Sequence, residues 1–345
     1  MILCPARLEP TFSPRPWGAR SLAPFFPEMS SLAEPIGEAW MTGNDSRFAN
    51  GSFAGRTLAE VWPALSLEWA GTSAARSPAF PILVKFIFTE EKLSVQVHPD
   101  DEYASRHETA AGGRGKTEMW YALRASPGAE VLVGLKPEIT RSAFERAIAS
   151  GAAEDCLGHI PLRAGEAMFV PARTAHTIGP GLVLCEIQQN SDLTYRVYDY
   201  NRRDAQGRTR ELHIAKALDV LRFGKQIGGK IRPAQAARGP LTTTFLAACP
   251  YFATEKWEFV EPIRADSSPE HLDLLIFLDG SGYIRWEHSR AEFGAAQAWM
   301  IPAALGRYEI VPAARTSLLR SYVPSSLGDF AAGVPEAERS RLVHP

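Results

Sequence analysis

Apolar residues gather into six short runs between residues 81 and 189, separated by polar and turn-forming segments. PILVKFIF (81–88), KLSVQVH (92–98), EMWYAL (118–123), EVLVGL (130–135), AMFVP (167–171) and GLVLCEIQQ (181–189) are rich in β-branched and aromatic residues and bounded by Gly, Pro or Asp. That pattern predicts strands, and several short strands with such turns predict a mainly β sandwich or barrel. Between them, ITRSAFERAIASGAAEDCLGHI (139–160) changes to helical spacing at Phe144, Ile148 and Leu157, with a break at Gly151. It reads as a small helical insert. ELHIAKALDVLRF (211–223) predicts an amphipathic helix, and the polar, Gly-containing GKQIGGKIRPAQAARGP behind it (224–240) reads as a linker.

Beyond the linker the pattern repeats weakly. LLIFLDGSGYIRWE (274–287) predicts a hairpin turning at Gly280 and Gly282, and WMIPAALGRYEI (299–310) can be laid on MFVPARTAHTI through its proline. The expected organisation is a first domain over 1–223, the linker, a second domain over 241–325 and a tail over 326–345.

Candidate chemistry sits at the ends of the predicted strands. Ser94, Gln96 and His98 alternate in LSVQVHPDDEYA, so their side chains share one strand face while Val95 and Val97 take the other. GKTEMWYAL sets Lys116 and Glu118 on one face of a second strand, and GEAMFVPARTAHTI carries an apolar strand through a proline turn to His176. Gln96, His98, Glu118 and His176 make a mixed N/O set suited to Zn²⁺ or another borderline divalent ion, with a position open to water or substrate. None is a cysteine, which argues against a structural zinc knot. Each residue also has a plainer reading. A lone strand-end histidine is commonly just hydrogen-bonded, Glu118 could pair with Lys116, and Gln96 could satisfy a neighbouring strand. Three ligand-capable clusters within about 80 residues, each ending or interrupting an apolar strand, favour the metal. His107, His159, His213, His271, His288 and His344 show no such pairing and read as structural or surface residues. The AGGRGK stretch before Lys116 is no phosphate loop: it lacks the Gly-x-x-x-x-Gly-Lys-Ser/Thr spacing, and a strand rather than a helix follows.

Composition narrows the class without naming it. The chain has 345 residues, 45% hydrophobic and 22% charged, and a formal net charge of −2, enough to bury a large core and suggesting two domains. There is no basic excess for nonspecific nucleic-acid binding. The MILCPARLEP start lacks a signal-peptide pattern, and no segment reaches the roughly 18 apolar residues of a membrane span, so the expected location is the cytoplasm. Cys4, Cys156, Cys185 and Cys249 are widely spaced and are expected to be reduced thiols.

Gly165, Pro171 and His176 resemble the second motif of the cupin superfamily, and Gln96-x-His98 the first with one histidine replaced. The longer strings KFIFTEEKLSVQVHPDDEYA, GKTEMWYAL, VPARTAHTIGPGLVLCEIQQNSDLTYRVYDYNR and LHIAKALDVL resemble, in order and spacing, the type I mannose-6-phosphate isomerases in their shorter bacterial form. The resemblance runs from about Phe12 to Arg222, with a looser match beyond. It implies two cupin-type jelly rolls, the first with the helical insert and the metal, the second metal-free, with Arg307 five positions after Pro302 where the first has His176. The second jelly roll is expected to pack on the first and cover an edge of its sheet. Trp17-Gly18-Ala19 and Gly37-Glu38-Ala39-Trp40-Met41 depart from the family's usual Trp-Gly-Gly and Gly-Glu-Ser-Trp-Glu, and bear on the pocket rim and substrate range.

By the same resemblance the zinc ligands fall on Gln96, His98, Glu118 and His176, the catalytic arginine on Arg196, and the active-site lysine and second glutamate on Lys116 and Glu186. The implied reaction interconverts mannose 6-phosphate and fructose 6-phosphate by moving a proton between C2 and C1 through an enediolate. A divalent metal stabilises such oxygens, Arg196 and Lys116 supply cations for them or the phosphate, and Ser94 is placed to donate to the phosphate or a sugar hydroxyl. Glu186 is the first candidate for the proton transfer, with a metal-bound water as competitor. Taken alone, Arg196 could equally be a salt-bridge partner of Asp199 or Asp192, and the Trp120-Tyr121 pair reads as barrel core. The alternatives are an Fe²⁺ cupin oxygenase, which leaves Arg196 and Lys116 without a purpose, and a sugar-binding or regulatory cupin without turnover. The partner is a small sugar phosphate, with neither nucleic acid nor membrane, and the chain is expected as a monomer or weak homodimer.

Overall fold

Every residue of the run Ile82–Thr89 is buried, because its strand is covered on both faces. The computed structural model describes residues 2–75, 77–203, 206–225 and 227–344. Its strands begin with β1 (Ala6–Glu9), β2 (Thr11–Ala19), β3 (Ile36–Trp40), β4 (Arg47–Phe48), β5 (Ile82–Thr89), β6 (Val95–Val97) and β7 (Glu118–Ala125). They continue with β8 (Glu130–Leu135), β9 (Leu157–Pro161), β10 (Ala167–Val170), β11 (His176–Ile178), β12 (Leu182–Gln189), β13 (Tyr195–Tyr198) and β14 (Gly229–Lys230). The last ten are β15 (Ala234–Arg238), β16 (Leu241–Ala248), β17 (Ala253–Phe259), β18 (Ile263–Asp266), β19 (Asp273–Asp279), β20 (Gly282–Trp286), β21 (Ser289–Phe293), β22 (Gln297–Ile301), β23 (Arg307–Pro312) and β24 (Thr316–Tyr322).

A seven-stranded sheet, ordered β14-β10-β7-β12-β5-β3-β2, packs on a five-stranded sheet, ordered β13-β6-β11-β8-β9. Ile87, Trp120 and Met168 of the first sheet and Val131, Val133 and Ile178 of the second fill the space between them. A second pair, β15-β16-β17-β24-β19-β22-β1-β4 and β18-β23-β20-β21, encloses Trp257, Phe277, Ile284, Trp299 and Tyr308. The mainly β architecture that the run pattern predicts, and the paired sheets that the resemblance implies, are therefore present.

Side chains on the opposite faces of the two large sheets share one apolar cluster: Val84, Phe86, Cys185 and Ile187 from one, Leu246, Leu274, Ile276 and Leu319 from the other. Each such large side chain contributes about 1.5–3 kcal/mol by leaving water. The two sandwiches thus meet through sheet faces, not through the edge cover expected from sequence.

Three expectations change in detail. The helix of 139–160 runs only over Arg141–Ser150, ends at Gly151 (φ 80°) and gives way to a short turn. Leu157, assigned to the helical spacing, starts β9, whose pairing with β8 satisfies its backbone. LLIFLDGSGYIRWE is not a hairpin, since β19 pairs with β22 and β24 whereas β20 pairs with β21 and β23. The chain instead crosses between sheets at Gly280, where φ is +90° and a Cβ would lie 2.4 Å from Thr316 Oγ1. The stretch 224–240 holds β14, paired with β10, and β15, paired with β16. At the N-terminus, β1 pairs with β22.

Candidate active site and metal centre

His98 and His176 are pinned so that the same ring nitrogen of each faces inward. His98 Nδ1 donates to the Leu193 carbonyl at 2.7 Å and His176 Nδ1 to the Thr174 carbonyl at 2.9 Å, because a carbonyl can only accept. Each Nε2 therefore keeps its lone pair. These atoms lie 3.2 Å and 3.7 Å from the two carboxylate oxygens of Glu118. Gln96 stands directly across from His176 in the β6–β11 ladder, and its side-chain amide donates to His176 Nε2 at 3.2 Å. Ligation through Gln96 requires its carbonyl oxygen there, an exchange that leaves the shape of the amide unchanged.

Electrostatics fit a cation at this point. Burial pushes both imidazoles toward the neutral form, lowering His98 and bringing His176 to about 3. Burial, the largest single effect, works against the Glu118 charge, but the Lys116 ammonium, 2.7 Å away, together with His98 and His176 outweighs it and holds the carboxyl well below its usual range. Lys116 is in turn raised: burial alone would lower it, and Glu118 and Glu186 more than compensate. Both oxygens of Glu118 are fully buried and lack an aligned hydrogen bond, since the Lys116 contact is close but off axis. One ligand atom from each of His98, Glu118 and His176 lies within 4.8 Å of the others. Two neutral imidazoles, a carboxylate and an amide within reach match the donor chemistry of a borderline divalent metal.

Above this floor opens a pocket of about 440 Å³, lined by Ser94, Gln96, Lys116, Glu186 and Arg196 among others. Glu186 faces Lys85 across β5–β12 and Trp120 across β7–β12. The Trp120 indole N–H donates to Glu186 Oε1 at 3.0 Å, so Trp120, although wholly buried in the barrel core, also orients a pocket side chain. Burial, and then the Glu118 charge, push Glu186 up to about 7. Arg196, on β13, forms no salt bridge with Asp199 or Asp192. Asp199 is taken by Arg202 and Arg210, at 3.1 Å and 2.7 Å, and Asp192 by Lys85 at 3.3 Å. Arg196 Nη1 donates to the Glu211 carbonyl at 2.9 Å, its Nε is buried without a partner, and among the described residues it has no carboxylate partner.

Sequence reasoning missed part of the pocket wall. Arg15, Glu38, Lys85 and Arg210 also line it. Lys85 is only 2% exposed and sits over the Trp40 ring at 4.2 Å, while Arg15 Nη2 and Trp40 Nε1 bind Glu38 at 2.8 Å and 2.9 Å. Lys85 had a readable signal, as the one charge inside ILVKFIFT. Arg15 and Arg210 had none. The departures from the family pattern, Ala19, Ala39 and Met41, all lie buried in the apolar core and so do not reach the rim expected for them, whereas Trp17, which the chain shares with the family, lines the pocket.

Residues 6–124 match the sequence profile of the phosphomannose isomerase type I catalytic domain. The chain is 37% identical over 284 residues to a mannose-6-phosphate isomerase of Streptococcus mutans, covering 81% of this chain and 86% of that one. It is 33% identical over 310 residues to mannose-6-phosphate isomerase ManA of Bacillus subtilis, covering 89% and 95%. The crystal structure of the Bacillus subtilis mannose 6-phosphate isomerase superposes with a TM-score of 0.83 at 30% identity, covering 92% of this chain and 99% of that one. A putative mannosephosphate isomerase from Archaeoglobus fulgidus shares the fold at 16% identity, with a TM-score of 0.72 over 94% of this chain and 99% of its own.

Proposed function

The chain belongs to the type I phosphomannose isomerase family, and on that premise we propose that it interconverts mannose 6-phosphate and fructose 6-phosphate, using one Zn²⁺ per chain held by Gln96, His98, Glu118 and His176. When bound, the metal supplies Lewis acidity to the sugar oxygens at C1 and C2. The observation that carries the reading is the meeting of two neutral imidazole nitrogens at the fully buried carboxylate of Glu118, below a pocket with an arginine that has no carboxylate partner.

The remaining chemistry falls to the chain's own groups. Arg196 presents a permanently charged planar donor to the substrate, and its lack of a carboxylate partner supports this role. Lys116 places a compact charge between Glu118 and the pocket. Ser94, buried in the pocket wall, donates to a phosphate or hydroxyl oxygen. Glu186 takes the proton from one sugar carbon and returns it to the other. A carboxyl near 7 suits an exchange of this kind at neutral pH, and the Trp120 hydrogen bond holds one oxygen while the other works. Every one of these residues comes from a single chain, so a monomer or weak homodimer would suffice. The cytoplasm is the proposed location, where the four buried cysteines would stay reduced.

A coupled assay of mannose 6-phosphate conversion, with metal content measured before and after chelation, tests the reading. Activity should fall with zinc and return when zinc is added back. A metal-loaded protein without turnover would overturn it.

A further inference from the structure

Eight strands of the second sandwich repeat the order of eight in the first. β17, β24, β19 and β22 are ordered as β5, β12, β7 and β10 are, and β18, β23, β20 and β21 as β6, β11, β8 and β9. Register agrees as well. Lys85 faces Glu186 as Glu255 faces Arg320, and Gln96 faces His176 as Asp266 faces Arg307. The irregularity at Val183/Leu184 recurs beside Leu318, between Phe277 and Asp279. In this register the pocket positions Ile87, Leu93, Ser94, Gln96, Ile178 and Glu186 become Trp257, Ile263, Arg264, Asp266, Glu309 and Arg320. All six of the latter line a second cleft, of about 770 Å³.

We propose that this cleft is a second ligand site, which binds a small organic phosphate bearing hydroxyl groups and does not turn it over. Its mouth is rich in guanidinium groups. Arg264 and Arg285 both bind Glu309, Arg264 at 3.1 Å, which leaves two cations on one anion. Arg238, also at the mouth, makes no ion pair among the described residues. Each guanidinium carries five N–H donors in a planar fork, more than one shared carboxylate accepts, and the fork matches phosphate oxygens bidentately. Asp266 and Glu309 offer acceptors for hydroxyl groups, and Trp257 supplies an apolar wall. At the floor, Arg320 binds Asp273 at 2.9 Å and Glu255 at 3.5 Å. An arginine thus stands where the first pocket has Glu186, and Arg307 where it has His176, so neither the proton carrier nor the imidazole ligand is reproduced.

The test is equilibrium binding of glucitol 6-phosphate, a polyol phosphate with no carbonyl to isomerise, to the metal-loaded full chain. Two molecules per chain are expected. The Arg264→Ala/Arg285→Ala variant should retain isomerase activity and bind one, its second-site affinity falling at least about tenfold. Arg196→Ala should keep the second site, which separates this proposal from the isomerase reading. Inorganic phosphate should displace the second molecule, and unphosphorylated glucitol should not. One molecule per chain in wild type, identical stoichiometry in the double arginine variant, or equal occupancy by glucitol would each overturn the proposal.

Discussion

The two sandwiches place opposite charges at matched positions. In the first, the acid Glu186 lies across from Lys85; in the second, the base Arg320 lies across from Glu255. Glu118 and Asp273 open the matched strands β7 and β19. Asp273 meets the guanidinium of its own barrel at 2.9 Å and His271 at 3.1 Å. Burial opposes its charge, and Arg320 and then His271 outweigh burial and hold its carboxyl below the usual range. Glu118 has Lys116 beside it, but also a second carboxyl in Glu186 and two imidazoles that burial keeps neutral. Both carboxylates are buried without an aligned hydrogen bond; what differs is that Asp273 faces a guanidinium, whereas two imidazole lone pairs converge with Glu118 on a point suited to a cation. A scaffold with one pairing order therefore serves either purpose, according to the sign of a few inward side chains.

Removing Glu118 should break the contrast most sharply. Glu118→Ala is expected to lose bound metal and to cut turnover by about 10³-fold or more, read by metal analysis and the coupled assay on one sample. Arg320→Met strips the buried cluster of its guanidinium and leaves Glu255 and Asp273 buried without the cation they share, a cost of about 3–5 kcal/mol. A urea melt should show it, with zinc content unchanged; a melt like that of wild type would mean the cluster does not hold that barrel together. Arg196→Gln should keep metal and fold but lower kcat/KM by about a hundredfold, and retained turnover would remove Arg196 from the reaction.

A subtler comparison uses pH. Glu186 must be ionised to accept a proton, so kcat/KM should rise with pH along an acidic limb. Its midpoint should lie below about 7, because the charge of a seated metal ion favours the carboxylate. Glu186→Gln should abolish the limb together with most of the activity, and an unchanged profile would assign the proton to another group. The smallest effect belongs to Arg307, which is exposed and paired with Asp266 at 3.2 Å. Arg307→Ala should shift stability by less than about 0.5 kcal/mol, whereas His176→Ala at the matched position should lose the metal.

By itself, the sequence determined the strand runs, the alternation that puts Ser94, Gln96 and His98 on one face, and the donor types that suit a divalent metal. Those features are local: a period of two and a choice of side chain can be read without knowing what lies across the barrel. The repeat was visible only as a proline and a glycine-bounded run, because the two halves share pairing order and register rather than residue identity. Tertiary structure alone decided that Leu157 belongs to a strand, that Gly280 marks a crossing between sheets, and that Arg15, Lys85 and Arg210 reach the pocket. It also decided which charges are neutralised. Arg196 has two aspartates nearby in sequence, and it stays free of them because Arg202 and Arg210 hold Asp199 and Lys85 holds Asp192. Lys85 and Asp192 stand 107 residues apart, and even the Asp199 pairs, 3 and 11 residues apart, depend on how the chain turns, which a linear pattern of residue types does not encode.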